Sequence, residues 1–138
     1  MSLENELDLR EFVKNLTEKT KTSEIKWKKV SKSDYTKLLD RSITYSSIKD
    51  PFYSEGKNGI VIVGKYEKKV YYEEDQYYYE DCFFITISNH YFEERTSFLE
   101  TDNENPLGFS FALTLSKLHR LIQLNTNDIK NRIDSWFD

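Results

Sequence analysis

Hydrophobic residues in this 138-residue chain change their spacing twice along the sequence, and this change constrains the fold more than any other feature. Over residues 5–20 they recur every three or four positions, which is the spacing of one helix face. From residue 42 to residue 99 they alternate, as the side chains of strands do. From residue 107 the helical spacing returns. The chain therefore predicts an α+β fold in which helices at both ends flank an antiparallel sheet.

Both ends of the chain predict amphipathic helices, one at the start and two at the finish. Charged and polar side chains occupy the other faces of these segments, and Asn125-Thr126 separates the last two helices. The apolar stripes are Leu9, Phe12, Val13 and Leu16 in the first helix, Leu107, Phe111, Leu115, Leu118 and Ile122 in the second, and Ile129, Ile133, Trp136 and Phe137 in the third. We expect all three helices to pack on one face of the sheet, with the end of the chain docked against the core.

The middle of the chain predicts four or five strands within a single domain of residues 1–138. The two strongest strands, residues 60–66 and 82–88, are expected to pair as a hairpin, with Phe83, Ile85 and Ile87 facing the core. Residues 24–30 predict a short strand or an extended crossing, and weaker strands are predicted at residues 42–48 and 91–99. A helical turn is predicted at residues 35–39, and loops at residues 50–51, 55–59 and 101–106. Glycine and proline number only four and two, which disfavours linkers and further domains.

The stretch between the two strongest strands has the most unusual composition in the chain. Residues 71–81 contain five tyrosines and five acidic residues. If the flanking strands pair, this stretch is the far end of a two-stranded ribbon that turns at residues 74–76. Residues 70–105 carry ten acidic side chains against the single basic residue Arg95, whereas the whole chain has a net charge of −4. The acidic excess of the protein therefore lies in this third of the sequence.

Tyrosines beside acids predict a surface that contacts a basic protein. Tyrosine is enriched at interface hot spots, and acidic groups speed association with basic partners while repelling a phosphate backbone. The predicted partner-binding residues are Glu73, Glu74, Asp75, Tyr77, Tyr79, Glu80 and Asp81. A structural interpretation is equally open, because tyrosine favours strands and exposed acids protect a sheet edge against unwanted pairing.

The sequence contains no recognisable catalytic, cofactor or metal motif. The single cysteine, Cys82, excludes an intrachain disulfide, and acidic neighbours disfavour its thiolate, so we expect a half-buried and inert residue. His119 is expected on a helix, at the surface or at an interface, and His90 is expected at a strand end. The clustered acids lack the spacing and the glycine of a calcium loop. We therefore predict no catalytic residue, no metal and no cofactor.

Short signatures at the two ends of the chain carry a resemblance. Residues 12–20 are Phe-Val-Lys-Asn-Leu-Thr-Glu-Lys-Thr and residues 24–28 are Glu-Ile-Lys-Trp-Lys. Near the end stand Leu118-His119-Arg120-Leu121-Ile122, Asn125, Ile129, Ile133-Asp134 and Phe137. These segments resemble small proteins of low-GC Gram-positive bacteria and their mobile elements, a group with no known activity. The resemblance covers roughly the first 30 and the last 25 residues. It implies a common helical scaffold, with specialised function in the sheet and its acidic stretch.

These features favour a non-enzymatic binding protein, such as an inhibitor or an immunity-type protein that docks on a basic partner. One alternative is a small enzyme or ligand-binding domain with a pocket between sheet and helices, using tyrosine, aspartate, His90 or Arg95. Another is a homodimer joined through a sheet edge or the last helix. Direct nucleic-acid binding is disfavoured. No apolar stretch reaches the roughly 20 residues that cross a bilayer, so we expect a soluble, cytoplasmic protein.

Overall fold

A computed structural model of the chain describes residues 9–40, 47–100 and 108–138. Its elements in chain order are α1 (Leu9–Lys21), β1 (Lys28–Lys29), a 3-10 helix (Lys32–Lys37), β2 (Ile48–Gly56), β3 (Gly59–Glu73), β4 (Gln76–Ser88), β5 (Arg95–Leu99), α2 (Gly108–Thr126) and α3 (Ile129–Asp134). This order confirms the predicted α+β fold. Most of the predicted strand at residues 42–48 and the loop at residues 101–106 lie outside the described residues.

The strands form one five-stranded sheet in which each strand pairs with the next along the chain. Every pairing is antiparallel, so no crossover connection is needed. β3 and β4 are the longest strands, with 15 and 13 residues, and their register places Val63 opposite Ile85. The hairpin predicted from residues 60–66 and 82–88 is therefore confirmed.

The sheet is covered on both faces, each with its own hydrophobic cluster. On the helix face, which α1 and α2 cover, Val63 and Ile85 pack against apolar residues of both helices. On the opposite face, Ile62 and Phe84 pack with Leu38, which directly follows the 3-10 helix. Successive side chains of β3 and β4 therefore enter different clusters, as the period of a strand requires.

The predicted inward face of β4 is only partly correct. Ile85 is fully buried on the helix face and Phe83 is half-buried there, but Ile87 is exposed. Cys82 and Phe84 are buried instead on the opposite face. Because both faces of this strand are covered, neither set of alternating residues could be assigned as the inner one from sequence.

The loop predicted at residues 50–51 is wrong, because these residues lie within β2. The pairing of β2 with β3 shifts register between Lys49 and Phe52, and Asp50 has a φ of 45°. A bulge of this kind accommodates Pro51, which has no N–H to donate to the ladder. The second predicted loop is shortened to the turn at Lys57 and Asn58.

Two other strands are shorter than predicted. β1 covers only two residues, although the preceding Trp27 is buried in the core. β5 begins at Arg95 rather than at residue 91, because the side-chain oxygen of Asn89 accepts hydrogen bonds from the backbone N–H groups of Tyr91, Glu93 and Glu94. These bonds hold residues 89–94 as a turn.

The end of the chain is not docked as predicted. Ile133, Trp136 and Phe137 are 67%, 71% and 95% exposed, and α3 has no buried residue. Asp128 has a left-handed φ of 54° in the turn between α2 and α3. Beyond this turn, the apolar stripe lies on the outside of the molecule rather than against the sheet.

Candidate functional site

The tyrosine-rich stretch forms a two-stranded ribbon because β3 and β4 continue beyond their neighbours. β2 pairs with β3 only as far as Ile48 opposite Tyr66, and β5 pairs with β4 only as far as Leu99 opposite Phe84. The continuation, residues 67–81, is hereafter called the ribbon. Its β3 arm of seven residues is about 20 Å long at the usual rise of a strand. Among the described strands, none flanks it.

Three tyrosines and a lysine form a cluster on the helix-face side of the ribbon. Tyr71 stands opposite Tyr77, with ring centroids 5.5 Å apart, and Tyr77 meets Tyr79 edge-on, also at 5.5 Å. The Lys69 Nζ lies 4.1 Å from the centroid of the Tyr77 ring. Tyr71 and Tyr77 raise the pKa of Lys69, and a hydrogen bond with Tyr77 raises the pKa of Tyr79. Cross-strand aromatic and cation–π contacts therefore hold this side together.

The other side of the ribbon carries a smaller aromatic pair. The rings of Tyr72 and Tyr78 have centroids 6.3 Å apart, and Val70 stands opposite Tyr78 in the ladder. Nearer the sheet, Lys68 is paired in register with Glu80. This side therefore combines aromatic surface with side chains of both charges.

The base of the ribbon is tied to β2 by a three-residue ion network. The Lys49 Nζ lies 2.7 Å from Glu67 Oε1 and 3.2 Å from Asp81 Oδ1. The hydrogen bond to Glu67, followed by that to Asp81, raises the pKa of Lys49. One lysine thus serves two carboxylates, which compensates part of the charge of Asp81 and ties this predicted contact residue to β2.

The tip of the ribbon carries three acidic side chains that form no salt bridge with any described residue. Glu74 and Asp75 form the two-residue turn between Glu73 and Gln76, which pair across the ladder. All four side chains are exposed, and no basic residue occurs between positions 70 and 81 of the sequence. The turn predicted at residues 74–76 is therefore correct, except that Gln76 is already the first residue of β4.

The seven predicted contact residues all lie on the exposed ribbon, but they do not share one face. Tyr77, Tyr79 and Asp81 lie on the helix-face side, Glu80 lies on the other side, and the remaining three acids lie at the tip. The prediction omitted Tyr71, Tyr72 and Tyr78. The hairpin register could have found them, because it places each one beside a tyrosine of the opposing strand. The five tyrosines are between 43% and 61% exposed.

His119 is buried, contrary to the prediction of a surface or interface residue. Its Nε2 donates to the backbone oxygen of Asp50 at 2.8 Å, and its ring packs against Phe52 and Phe83. Burial lowers its pKa. The helical neighbours of His119 in the sequence could not reveal this partner, because the β2 bulge supplies it from 69 residues away.

The other potentially reactive groups serve the fold. Cys82 is buried, and burial raises the pKa of its thiol to about 11, so it is not an activated nucleophile. His90 is exposed and bonds to Glu55 Oε2 at 2.9 Å, which raises its pKa. Arg95 donates to the backbone oxygen of Thr36 at 3.4 Å. His90 and Arg95 thus bind different partners and do not converge on one site.

A cavity of about 290 Å³ lies elsewhere, beside the turn between α2 and α3. Its lining includes none of His90, Arg95 or the ribbon residues. Across the described ranges there is no group of three or more histidine, cysteine or acidic side chains placed to hold a metal. This geometry offers no support to the alternative of an enzyme built on those groups.

The fold and the ribbon define the class of this protein, a small α+β domain with an exposed aromatic β-ribbon. Comparisons with protein families, with curated proteins and with solved structures found no match to the chain. Within the described part of the chain, no helix is long and apolar enough to span a membrane. The functional argument therefore starts from the chemistry of the ribbon.

Proposed function

We propose that this is a cytoplasmic, non-enzymatic binding protein that docks the end of its ribbon, residues 71–81, onto a basic surface of a protein partner. The observation that carries the proposal is the exposure of five tyrosines on a ribbon that extends beyond both hydrophobic clusters. Small soluble proteins expose few contiguous aromatic groups unless a partner covers them. An inhibitor or immunity-type protein, acting by occlusion, fits this arrangement.

The ribbon offers enough surface for a specific complex. A tyrosine buries about 150–250 Å² when it is covered. Because the five ribbon tyrosines are 43–61% exposed, they supply about half or more of the roughly 800 Å² that each partner contributes to a standard interface, and the side chains of the tip add to this area. Their rings already contact one another, so binding would immobilise fewer free rotamers than a disordered segment would.

The acidic tip would select a partner whose surface is basic. Asp81 shares Lys49 with Glu67, and Lys68 stands opposite Glu80. By contrast, Glu73, Glu74 and Asp75 form a negative group at the end of the ribbon. Such a group accelerates encounter with a basic surface and does so less at high salt. We therefore assign the tyrosines to affinity and the tip to steering and selection.

Charge reversal at the tip tests this proposal. Protein with Glu73, Glu74 and Asp75 all changed to Lys should capture no partner from a lysate of its source organism, whereas the native protein should capture a basic one. A matched variant with Glu24, Glu93 and Glu94 changed to Lys carries the same charge change away from the ribbon, on exposed side chains. It should retain the partner.

The affinity of the identified partner should then be measured with purified proteins at several salt concentrations. Both variants should melt at the temperature of the native protein, since all six side chains are exposed. Equal binding by the tip variant and the native protein, or a native protein that captures nothing, would show that the ribbon is a solubilising edge instead.

A further inference from the structure

The exposed apolar stripe at the end of the chain lies beside the cavity. Lys130 and Asn131, both in α3, line the cavity, and Ile133, Trp136 and Phe137 follow them directly along the chain. Aromatic side chains are seldom left this exposed in a soluble protein without a partner. A cavity and an exposed aromatic pair therefore lie within a few residues of each other along the chain.

Three apolar side chains, Ile25, Trp27 and Leu124, and seven polar or charged ones line the cavity. Its lining residues are Ser23, Ile25, Lys26, Trp27, Leu124, Asn125, Thr126, Asp128, Lys130 and Asn131. Thr20 holds two of the lining side chains in place. Its Oγ1 accepts a hydrogen bond from the Trp27 Nε1 at 2.9 Å, and its backbone oxygen accepts one from the Asn125 Nδ2 at 3.1 Å. The cavity is therefore preformed rather than a gap between loose side chains.

The size of the cavity suits side chains better than a cofactor. Its volume of about 290 Å³ is at or below the lower limit of the roughly 300–1,000 Å³ of small-molecule pockets. An aromatic side chain with part of its neighbour fills a space of this size. Trp136 and Phe137 are 71% and 95% exposed, so these aromatic side chains are available to enter a cavity of another copy.

We infer that this surface joins two copies of the chain in a reciprocal dimer, in which Trp136 and Phe137 of each copy occupy the cavity of the other. A twofold axis between a cavity and an adjacent protruding segment makes the two contacts identical, as symmetric dimers require. The charges agree with this arrangement, because Asp138 follows the inserted aromatics and the charged residues that line the cavity are two lysines and one aspartate: Lys26, Lys130 and Asp128.

The buried area is sufficient for a concentration-dependent dimer. Two inserted aromatic side chains in each copy bury roughly 600–1,000 Å² in total, and the cavity walls that they cover bury a similar area. The sum reaches the roughly 1,200–2,000 Å² of specific interfaces. No residue of this interface belongs to the ribbon, so dimerisation leaves the proposed partner surface free.

Sedimentation of the native protein over a range of concentrations tests the dimer. We expect a reversible dimer that the double variant W136S/F137S shifts at least tenfold toward monomer. A matched control, L113S/Y91S, removes two other exposed apolar side chains and should dimerise as the native protein does. A native protein that stays monomeric at every concentration, or a double variant that dimerises normally, would overturn the inference.

A complementation experiment distinguishes reciprocal insertion from non-specific hydrophobic association. The variant N131W places a large side chain at the cavity mouth, so it should be monomeric alone, as W136S/F137S should be. A mixture of the two restores one of the two contacts, since the aromatics of N131W can enter the open cavity of the other variant. We expect heterodimers in the mixture. Two folded variants that form no heterodimer would contradict the reciprocal arrangement.

Discussion

The inner and outer halves of the β3–β4 hairpin share one continuous ladder but have opposite surroundings. In the inner half, Ile62, Val63, Phe84 and Ile85 are fully buried, with side chains in both clusters. In the outer half, the ribbon, every residue from 71 to 81 is exposed. The same two strands therefore pass from a core covered on both faces to a projection flanked by no described strand.

This contrast shows that two strands can remain paired well beyond the part of the hairpin that is buried in the core. The inner half is stabilised by removal of apolar surface from water. The outer half relies on cross-strand pairs, each contributing about 0.2–1 kcal/mol, together with the ion network at its base. We expect the ribbon to open locally more often than the sheet, which would allow it to adapt to a partner.

The largest expected loss of stability comes from a substitution in the inner half of the hairpin. Phe84→Ala removes a fully buried ring that packs against Tyr66, with centroids 6.4 Å apart, and should cost about 3–5 kcal/mol of unfolding free energy. Tyr78→Ala in the ribbon should cost about 1 kcal/mol or less, since its ring is exposed. Urea denaturation measures both. Similar losses for the two variants would remove the distinction between the halves.

A second effect concerns the pH dependence of stability at His119, which packs against Phe83 near the middle of the hairpin. Burial lowers the pKa of His119 in the folded protein, so the unfolded chain binds its proton first as the pH falls. The contribution of His119 is thus fully present above about pH 6.5 and is lost as the pH falls from there toward its folded pKa. His119→Gln keeps an N–H donor without titrating. It should flatten the dependence of unfolding free energy on pH in this window.

His90 provides the control for this experiment, because its shift has the opposite sign. Glu55 raises the pKa of His90, so any stability from that pair is present below about pH 6.5 and is lost as the pH rises through the folded pKa. His90→Gln should leave the acid-side loss of stability intact. An unchanged pH profile in His119→Gln would show that His119 is not the titrating group.

The smallest expected effect lies at the boundary between the halves. Lys49→Met removes the cation that holds Glu67 and Asp81, so amide hydrogen exchange in the ribbon should become faster while the melting temperature changes little. Lys130→Met, which breaks the pair with Asp134, is the matched control and should leave ribbon exchange unchanged. Equal exchange in native protein and Lys49→Met would mean that the tyrosine pairs alone hold the ribbon.

Much of the fold was predictable because its signals are local. The apolar stripe of α1, the two strong strands and the turn at the ribbon tip all follow from spacing and composition within short windows. The candidate site was located by the same means, since tyrosines and acids cluster between two strands that can only pair as a hairpin. Its division into two sides required the register, which places Tyr77 and Tyr79 on one side and Tyr78 on the other.

The sequence by itself determined the class of fold, the long hairpin and the position of the acidic tip. Only the tertiary structure decided that β2 continues through a bulge at Asp50 and that the buried His119 donates a hydrogen bond to the backbone oxygen of Asp50. It also decided that the apolar stripe ending in Phe137 faces solvent. The physical reason is the range of the interactions. Periodicity and turn chemistry act between near neighbours, whereas burial depends on which distant segment reaches a side chain, and that is settled by packing.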